Sequence, residues 1–201
     1  MGNPKHRELE IKVSAMAVEP RLFRDFCYAK GPERYLHIIG PDDYYVQGEN
    51  VLRHRKSGGP GELTVKRRTS MKSTRDRVEI DLKLDHGMTI EDVAAFLAAT
   101  GWERQFTVVK DCHIFWFEGS RKTPGVEAVI YDVKLVDAKG NDSWDRYVEI
   151  EIHKEDSNHP MALSTLRTWE KQLRAELPSL GEVVSESLYE IYSGNKYSLA
   201  K

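Results

Sequence analysis

Charged and apolar residues alternate along several segments of the chain, and the first of these is ELEIKV at positions 8–13. Successive side chains of a strand point to opposite faces, so Glu8, Glu10 and Lys12 share one face and three apolar residues share the other. Two carboxylates this close repel each other unless a cation lies between them. The segment therefore predicts either a metal site beside a phosphate-binding lysine or an ordinary solvated strand face.

Five later segments repeat this alternation, and each is predicted to be a strand. They are VLRHR at 51–55, ELTVKRR at 62–68, RVEIDLKL at 77–84, VIYDVKLV at 129–136 and YVEIEIH at 147–153. If the charged faces point into a closed sheet, they form a tunnel that can bind a polyanion. If they face water, the mixture of positive and negative charges is incidental. Alternation alone leaves both arrangements open, because it does not say which face is inside.

Three other segments carry the apolar stripe of a core-facing helix. One begins at Pro20, which suits the first turn of a helix. Another begins at Thr89, which forms a capping box with Asp92. The longest runs from about Pro160 to Leu177. Helices of this kind would cover the apolar outer face of a barrel with a polar interior.

Composition indicates one cytoplasmic domain spanning residues 1–201. The 30 basic and 32 acidic residues leave a net charge of only -2, so phosphate binding would require local segregation of charge. The two cysteines have no metal-ligand or disulfide spacing. The chain has no apolar run of the roughly 18 residues that span a bilayer, and no signal peptide at its start.

The motifs occur in the order found in the CYTH superfamily, the triphosphate tunnel metalloenzymes, and the chain resembles that family over nearly its whole length. The matching segments are Glu8-x-Glu10-x-Lys12, DDYY at 42–45, VLRHR, LTVK at 63–66, RVEID at 77–81, TVVK at 107–110, Asp132 with Glu149-x-Glu151, and SLYEIY at 187–192. One departure is Cys112, which stands where many members keep a basic residue. The resemblance implies an α+β fold, a closed antiparallel eight-stranded β-barrel tunnel with flanking helices.

The same resemblance, together with the charge pattern, assigns candidate site residues. The phosphates would be bound by Lys12, Arg53, Arg55, Lys66, Arg68, Arg77 and Lys110. Mg²⁺ or Mn²⁺ would be held by Glu8, Glu10, Glu79, Asp81, Asp132, Glu149 and Glu151. Lys12, Glu8 and Glu10 are the candidate catalytic residues, with Lys12 either a phosphate clamp or a proton-accepting base. His153 shares the face of Glu151 and is either structural or a further ligand.

The favoured function is divalent-metal-dependent hydrolysis of a triphosphate or nucleotide-like organophosphate. The first alternative is a class IV adenylate cyclase, which converts ATP to cyclic AMP and pyrophosphate, and the second is a noncatalytic barrel that binds a phosphorylated ligand. The expected partner is a nucleotide, thiamine triphosphate or tripolyphosphate, with an RNA 5′-triphosphate less favoured and no membrane partner. The sequence is compatible with a homodimer but does not determine the oligomeric state.

Overall fold

The computed structural model describes residues 5–56, 61–68, 76–85, 87–136 and 142–193. For residues 5–8, 66–68, 76–79, 136 and 142 it describes the backbone alone. Within these ranges the chain folds into one nine-stranded sheet with helices on it. The strands are β1 (Lys5–Ser14), β2 (Arg34–Gln47), β3 (Asn50–Arg55), β4 (Glu62–Arg68), β5 (Asp76–Lys83), β6 (Glu103–Phe117), β7 (Val126–Val136), β8 (Asp142–Ile152) and β9 (Val183–Val184).

The strand order is β5-β4-β3-β2-β6-β7-β8-β1-β9, and every pairing is antiparallel. The antiparallel α+β fold predicted from the sequence is confirmed. A closed barrel of eight strands is not confirmed, since nine strands form a sheet with β5 and β9 at the ends of its order. Strand β1 nevertheless has two long partners, because Lys5–Leu9 pair with β5 and Glu10–Ser14 pair with β8.

All three predicted helices are present, and a fourth was missed. They are α1 (Pro20–Ala29), α2 (Ile90–Ala99) and α3 (Ala162–Glu176), and the missed helix is α4 (Leu188–Tyr192). The capping box predicted at Thr89 is confirmed. No helix in the described part of the chain is long and apolar enough to cross a membrane.

The two faces of the sheet have different surroundings. The helix face carries apolar residues of β1, β6, β7 and β8, including Ile11 and Ile150, and packs on α1 and α3 through Phe23 and Leu166. Helix α2 packs on the β2–β4 part of that face. Burial of these apolar side chains is the main stabilisation of the fold.

The opposite face, called the site face below, carries most of the buried charged side chains. Among them are Glu10, Lys12, Asp42 and Lys110, together with the buried hydroxyl of Thr64. One part of the site face is apolar instead, and there α4 packs Leu188 and Tyr189 against aromatic and branched side chains of β2, β6, β7 and β8. Helix α4 therefore covers the apolar part of the site face, and the charged part is buried by other contacts.

Candidate functional site

The first group of charges on the site face is centred on Lys12. Its Nζ lies 3.2 Å from Oε1 of Glu149 and 4.0 Å from Oε1 of Glu10, and it donates a hydrogen bond of 3.2 Å to the carbonyl of Glu186. The hydroxyl of Tyr131 donates to the same Glu149 oxygen at 2.6 Å. Strands β1, β7 and β8 and the segment before α4 therefore meet at this lysine, which is 4% exposed.

A second group is centred on Asp42 of β2. Arg55 Nε lies 3.3 Å from Asp42 Oδ1, and Lys110 Nζ lies 3.8 Å from Oδ2. Burial alone would raise the pKa of Asp42, but the nearby Arg55, Lys110 and Arg53 outweigh it and hold the pKa at about 2. Asp42 is therefore an anion at neutral pH, although it is 2% exposed.

Lys110 links the two groups. Its Nζ lies 4.5 Å from the ring centroid of Tyr131, which is a cation–π contact, so it stands between Asp42 and the Tyr131–Glu149 pair. Burial lowers the pKa of this lysine, as does the neighbouring Arg55. A dianionic phosphate beside Lys110 would favour its charged form.

A third group lies on β3, β4 and β5. Arg53 donates a 3.0 Å hydrogen bond to Thr64 Oγ1, and its guanidinium lies 3.9 Å from Glu62. The hydroxyl of Thr64 in turn donates to Asp81 at 2.9 Å. Asp81 also forms an ion pair with Lys154. Asp81, a predicted metal ligand, is thus held by a cation and a hydroxyl.

Glu127 is a site-face carboxylate that the sequence analysis missed. It lies opposite Glu151 in the β7–β8 register, and Glu151 lies opposite Glu10 in the β8–β1 register, so three glutamates form a row across three strands. Burial raises the pKa of Glu127. It was missed because VEAVIY at 126–131 carries a single charged residue and does not alternate like the other strands.

His153 adjoins this row. Its charged form would lower the pKa of Glu127, which places the two side chains near each other. The ring nitrogen Nε2 is buried and has no hydrogen-bond partner among the described residues, while Nδ1 lies 4.0 Å from Glu155. A buried nitrogen in this state is open to a metal ion or a phosphate oxygen.

The structure brings together most predicted site residues whose side chains it describes. Those on the site face are Glu10, Lys12, Arg53, Arg55, Asp81, Lys110, Glu149 and Glu151. Among described side chains no acidic group on this face has ligand oxygens as close together as those of a formed metal site. Side-chain movement would therefore have to accompany metal binding.

Asp132 is not brought into the site. It lies on the helix face, where Arg146 contacts both of its carboxylate oxygens at 2.6 and 3.0 Å. The reason is the alternation of β7: Tyr131 and Val133 occupy the site face, as Glu127 does, and Asp132 and Lys134 point the other way. The expectation that every charged face of an alternating strand belongs to the site is wrong for β7.

Five predicted residues have side chains outside the described part of the structure. They are Glu8, Lys66, Arg68, Arg77 and Glu79. Their backbones are paired, with Lys66 opposite Glu79 and Glu8 opposite Arg77. Their assignment as ligands remains a prediction.

Cys112 occupies the place where a basic residue was expected from the family resemblance. Burial raises the pKa of its thiol, so the residue is neutral near Lys110 and Arg55 at neutral pH. It packs with the apolar cluster on the site face. Cys112 therefore supplies volume at this position and no positive charge.

The fold matches solved structures at low sequence identity. A Pyrococcus horikoshii OT3 protein superposes with a TM-score of 0.62 at 18% identity, over 92% of this chain and 97% of that one. A candidate adenylate cyclase from Bacillus halodurans gives 0.55 at 12% identity, over 94% and 99%. A chain of the Schizosaccharomyces pombe Mediator head module gives 0.54 at 10% identity, over 88% and 97%.

No family model matches the chain, and no curated protein does either. At these identities the structural matches establish a shared fold and leave ligand and reaction undetermined. The charged groups on the site face are therefore the features of this chain that bear on its function.

Proposed function

We propose that the protein is a CYTH-like, divalent-metal-dependent hydrolase of a triphosphate or nucleotide-like organophosphate, which binds its substrate on the site face. The observation that supports this most directly is the contiguous set of cations and carboxylates around Lys12, Lys110 and Arg55, in which Lys12 and Lys110 are buried and Arg55 is partly exposed. Such a set is costly to bury in a protein that has no ligand for it. A polyanion with its metal ion is the ligand class with matching charges.

The burial of these charges also supports a tunnel. The helices α1, α2 and α3 lie on the other face, and yet Lys12 and Lys110 are 4% and 8% exposed. Arg55 of β3 influences the pKa of Glu127 on β7, although β2 and β6 lie between these strands in the sheet order. A sheet that curls until its ends meet explains both facts, and the additional β1–β5 pairing lies where such a closure is needed.

Substrate binding would exchange one set of ion pairs for another. Arg55 is paired with Asp42, and Lys12 is paired with Glu149. Phosphate oxygens would accept paired N–H hydrogen bonds from the guanidinium of Arg55. They would also form an ion pair with the compact ammonium group of Lys12. The cations are therefore already fixed in place by side chains that the substrate can displace.

The row of Glu10, Glu151 and Glu127 is the proposed place for Mg²⁺ or Mn²⁺. Its donors are oxygen atoms, the kind both ions prefer, and a bound cation would offset the burial that raises the pKa of Glu127. When bound, the ion would polarise a phosphoryl oxygen and neutralise charge. Glu149, hydrogen-bonded by Tyr131, lies beside the row and would keep Lys12 oriented.

Two alternatives share this site. An adenylate cyclase would use the same cations to hold ATP, and one structural neighbour is a candidate enzyme of that class. A noncatalytic barrel would bind the phosphorylated ligand without turning it over. Substrates within the triphosphate class differ in the group attached to the triphosphate, which can be a nucleoside, thiamine or no group at all.

The test is a substrate screen with ATP, tripolyphosphate, thiamine triphosphate and triphosphorylated RNA, each with Mg²⁺ and with Mn²⁺. We expect metal-dependent phosphate release from at least one of them. Lys110→Gln should abolish it, whereas Lys171→Gln, on the exposed surface of α3, should leave it intact. Cyclic AMP without phosphate release would favour the cyclase, and tight binding without any product would favour the noncatalytic barrel.

A further inference from the structure

Two histidines and an aspartate lie together on the helix face, away from the proposed triphosphate site. His37 of β2 and His113 of β6 are directly opposite each other in the β2–β6 register. Their rings stack in parallel, with centroids 4.3 Å apart. Nε2 of His37 lies 2.7 Å from Oδ1 of Asp111, the neighbour of His113 on the same face. One ligand atom from each residue lies within 4.8 Å of those of the other two.

The arrangement provides orientation as well as proximity. Nδ1 of His113 lies 2.8 Å from the hydroxyl of Tyr35. In the tautomer that donates from Nδ1 to that oxygen, the lone pair of Nε2 is available to a metal. A ligating histidine usually has such an outer partner, which fixes its ring and its tautomer.

The charge around the cluster favours a cation on balance. Arg24 contributes positive charge near His113. Asp111 also lies opposite Asp132 in the β6–β7 register, which puts two carboxylates face to face. Arg146 neutralises Asp132, and Asp111 has only the imidazole of His37 among the bonds described for it. Arg24 opposes a cation, and both aspartates attract one.

We propose that His37, His113 and Asp111 form a binding site for a divalent transition-metal ion of the zinc class. Two imidazoles and one carboxylate, with a remaining position for water, suit Zn²⁺ or Co²⁺ better than Mg²⁺. Zn–N bonds of about 2.1 Å require ligand atoms about 3.4 Å apart, so the rings must rotate from their stacked positions. The ring of His37 and the carboxylate of Asp111 have room to move, because these side chains are 42% and 43% exposed.

This site is distinct from the row of glutamates in chemistry and in place. Its ligands lie on the helix face, and none of them contacts the charged groups around Lys12. Binding here would tie β2 to β6 at the surface, within the longest strand pairing of the sheet. Its presence therefore does not depend on the triphosphatase proposal.

The experiment uses the full chain, without a histidine tag and stripped with a chelator. Excess Mg²⁺ occupies the oxygen-rich site while Zn²⁺ is titrated by calorimetry, and Co²⁺ is followed by its visible absorption. We expect about one equivalent to bind wild-type protein. His37→Gln, His113→Gln and the nearly isosteric Asp111→Asn should each weaken binding by about 10-fold or more, since even outer partners of ligands are worth 10–100-fold.

His159→Gln is the matched control, because His159 lies outside the cluster and its Nδ1 accepts a hydrogen bond from the amide of Met161. It should bind Zn²⁺ like the wild type. The three cluster variants should keep the metal-free melting temperature and the Mg²⁺-dependent phosphate release. Wild-type protein that binds no Zn²⁺ at micromolar concentration, or Asp111→Asn and His113→Gln that bind it undiminished, would overturn the proposal.

Discussion

Lys12 illustrates how contacts of a single residue limit its chemical role. Its ammonium contacts Glu149 and Glu10 and donates a hydrogen bond to the carbonyl of Glu186. A proton-accepting lysine needs neighbours that favour the neutral form. These contacts fix the position of the ammonium, which a phosphate clamp requires, and the clamp role stays a prediction.

The corresponding prediction concerns Lys12→Arg. We expect less than about a 10-fold loss of kcat with an unchanged pH-rate profile, because arginine keeps the charge and does not titrate in the accessible range. Lys12→Met, which removes the charge, should lose far more. A loss of about 10²-fold or more in Lys12→Arg, with metal and substrate affinity unchanged, would instead identify Lys12 as the base.

Asp42 gives a prediction about acid stability. Its pKa in the folded protein is about 2, below the ordinary value of 3.8, so its ionisation stabilises the fold above that ordinary value. This contribution, of about 2 kcal/mol, should be lost as the pH falls from about 4 to about 2. The free energy of unfolding, measured in urea across this range, should fall less steeply in Asp42→Asn. Asp25→Asn, on the exposed surface of α1, should follow the wild type.

At the level of single residues, the sequence correctly predicted which face of the sheet a side chain points to where the strand has one polar and one apolar face. Strands β1, β3 and β8 are of this kind, and Lys12, Arg53 and Glu149 lie where alternation placed them. Strand β7 has an apolar residue at most positions on both faces, so its three charged residues, Glu127, Asp132 and Lys134, did not reveal which face is polar. The assignment of Asp132 failed for this reason, and Glu127 was overlooked for the same one.

At the scale of elements, the helices predicted from caps and stripes are confirmed, while α4 was missed. It is five residues long, too short for an apolar period to be read, and only its capping box at Ser187 marks it. Strand β6 is longer than the segment that the sequence analysis identified, since it extends beyond TVVK to cover Glu103–Phe117. Pairing partners could not be read from sequence, because they depend on contacts between distant parts of the chain.

Gly61, the residue directly before β4, is a glycine that the fold requires. Gly61 has φ +90°, and a Cβ there would lie 1.7 Å from the carbonyl oxygen of Arg55. Gly61→Ala should therefore displace the β3–β4 junction and with it Arg55, lowering both the melting temperature and the affinity for polyphosphate. Gly48→Ala is the control, since φ is +57° there and nothing lies within 4 Å of the added atom. We expect Gly48→Ala to cost about 1 kcal/mol of stability with affinity unchanged. Equal effects of the two substitutions on affinity would contradict this account.

For the whole molecule, the buried charges of the site face raise the question of how the folded protein tolerates them without a ligand. The cations Lys12, Lys110, Arg53 and Arg55 each lie within 4.0 Å of a carboxylate or in hydrogen-bond contact with a polar side chain. The site is therefore neutralised internally, and a ligand of one sign would break ion pairs that the protein already has. Only a ligand carrying both signs avoids this cost.

Because the charges of the site face already neutralise each other, we predict that metal and polyphosphate bind with positive cooperativity. Tripolyphosphate alone would leave Asp42 and Glu149 facing phosphate, and Mg²⁺ alone would meet Lys12 beside the glutamate row. We expect the rise in melting temperature with both ligands to exceed the sum of the two separate rises, because each bound ligand raises the affinity for the other. Glu151→Gln should remove this excess, and Lys171→Gln should keep it. Strictly additive shifts in the wild type would show that the two ligands do not share one site.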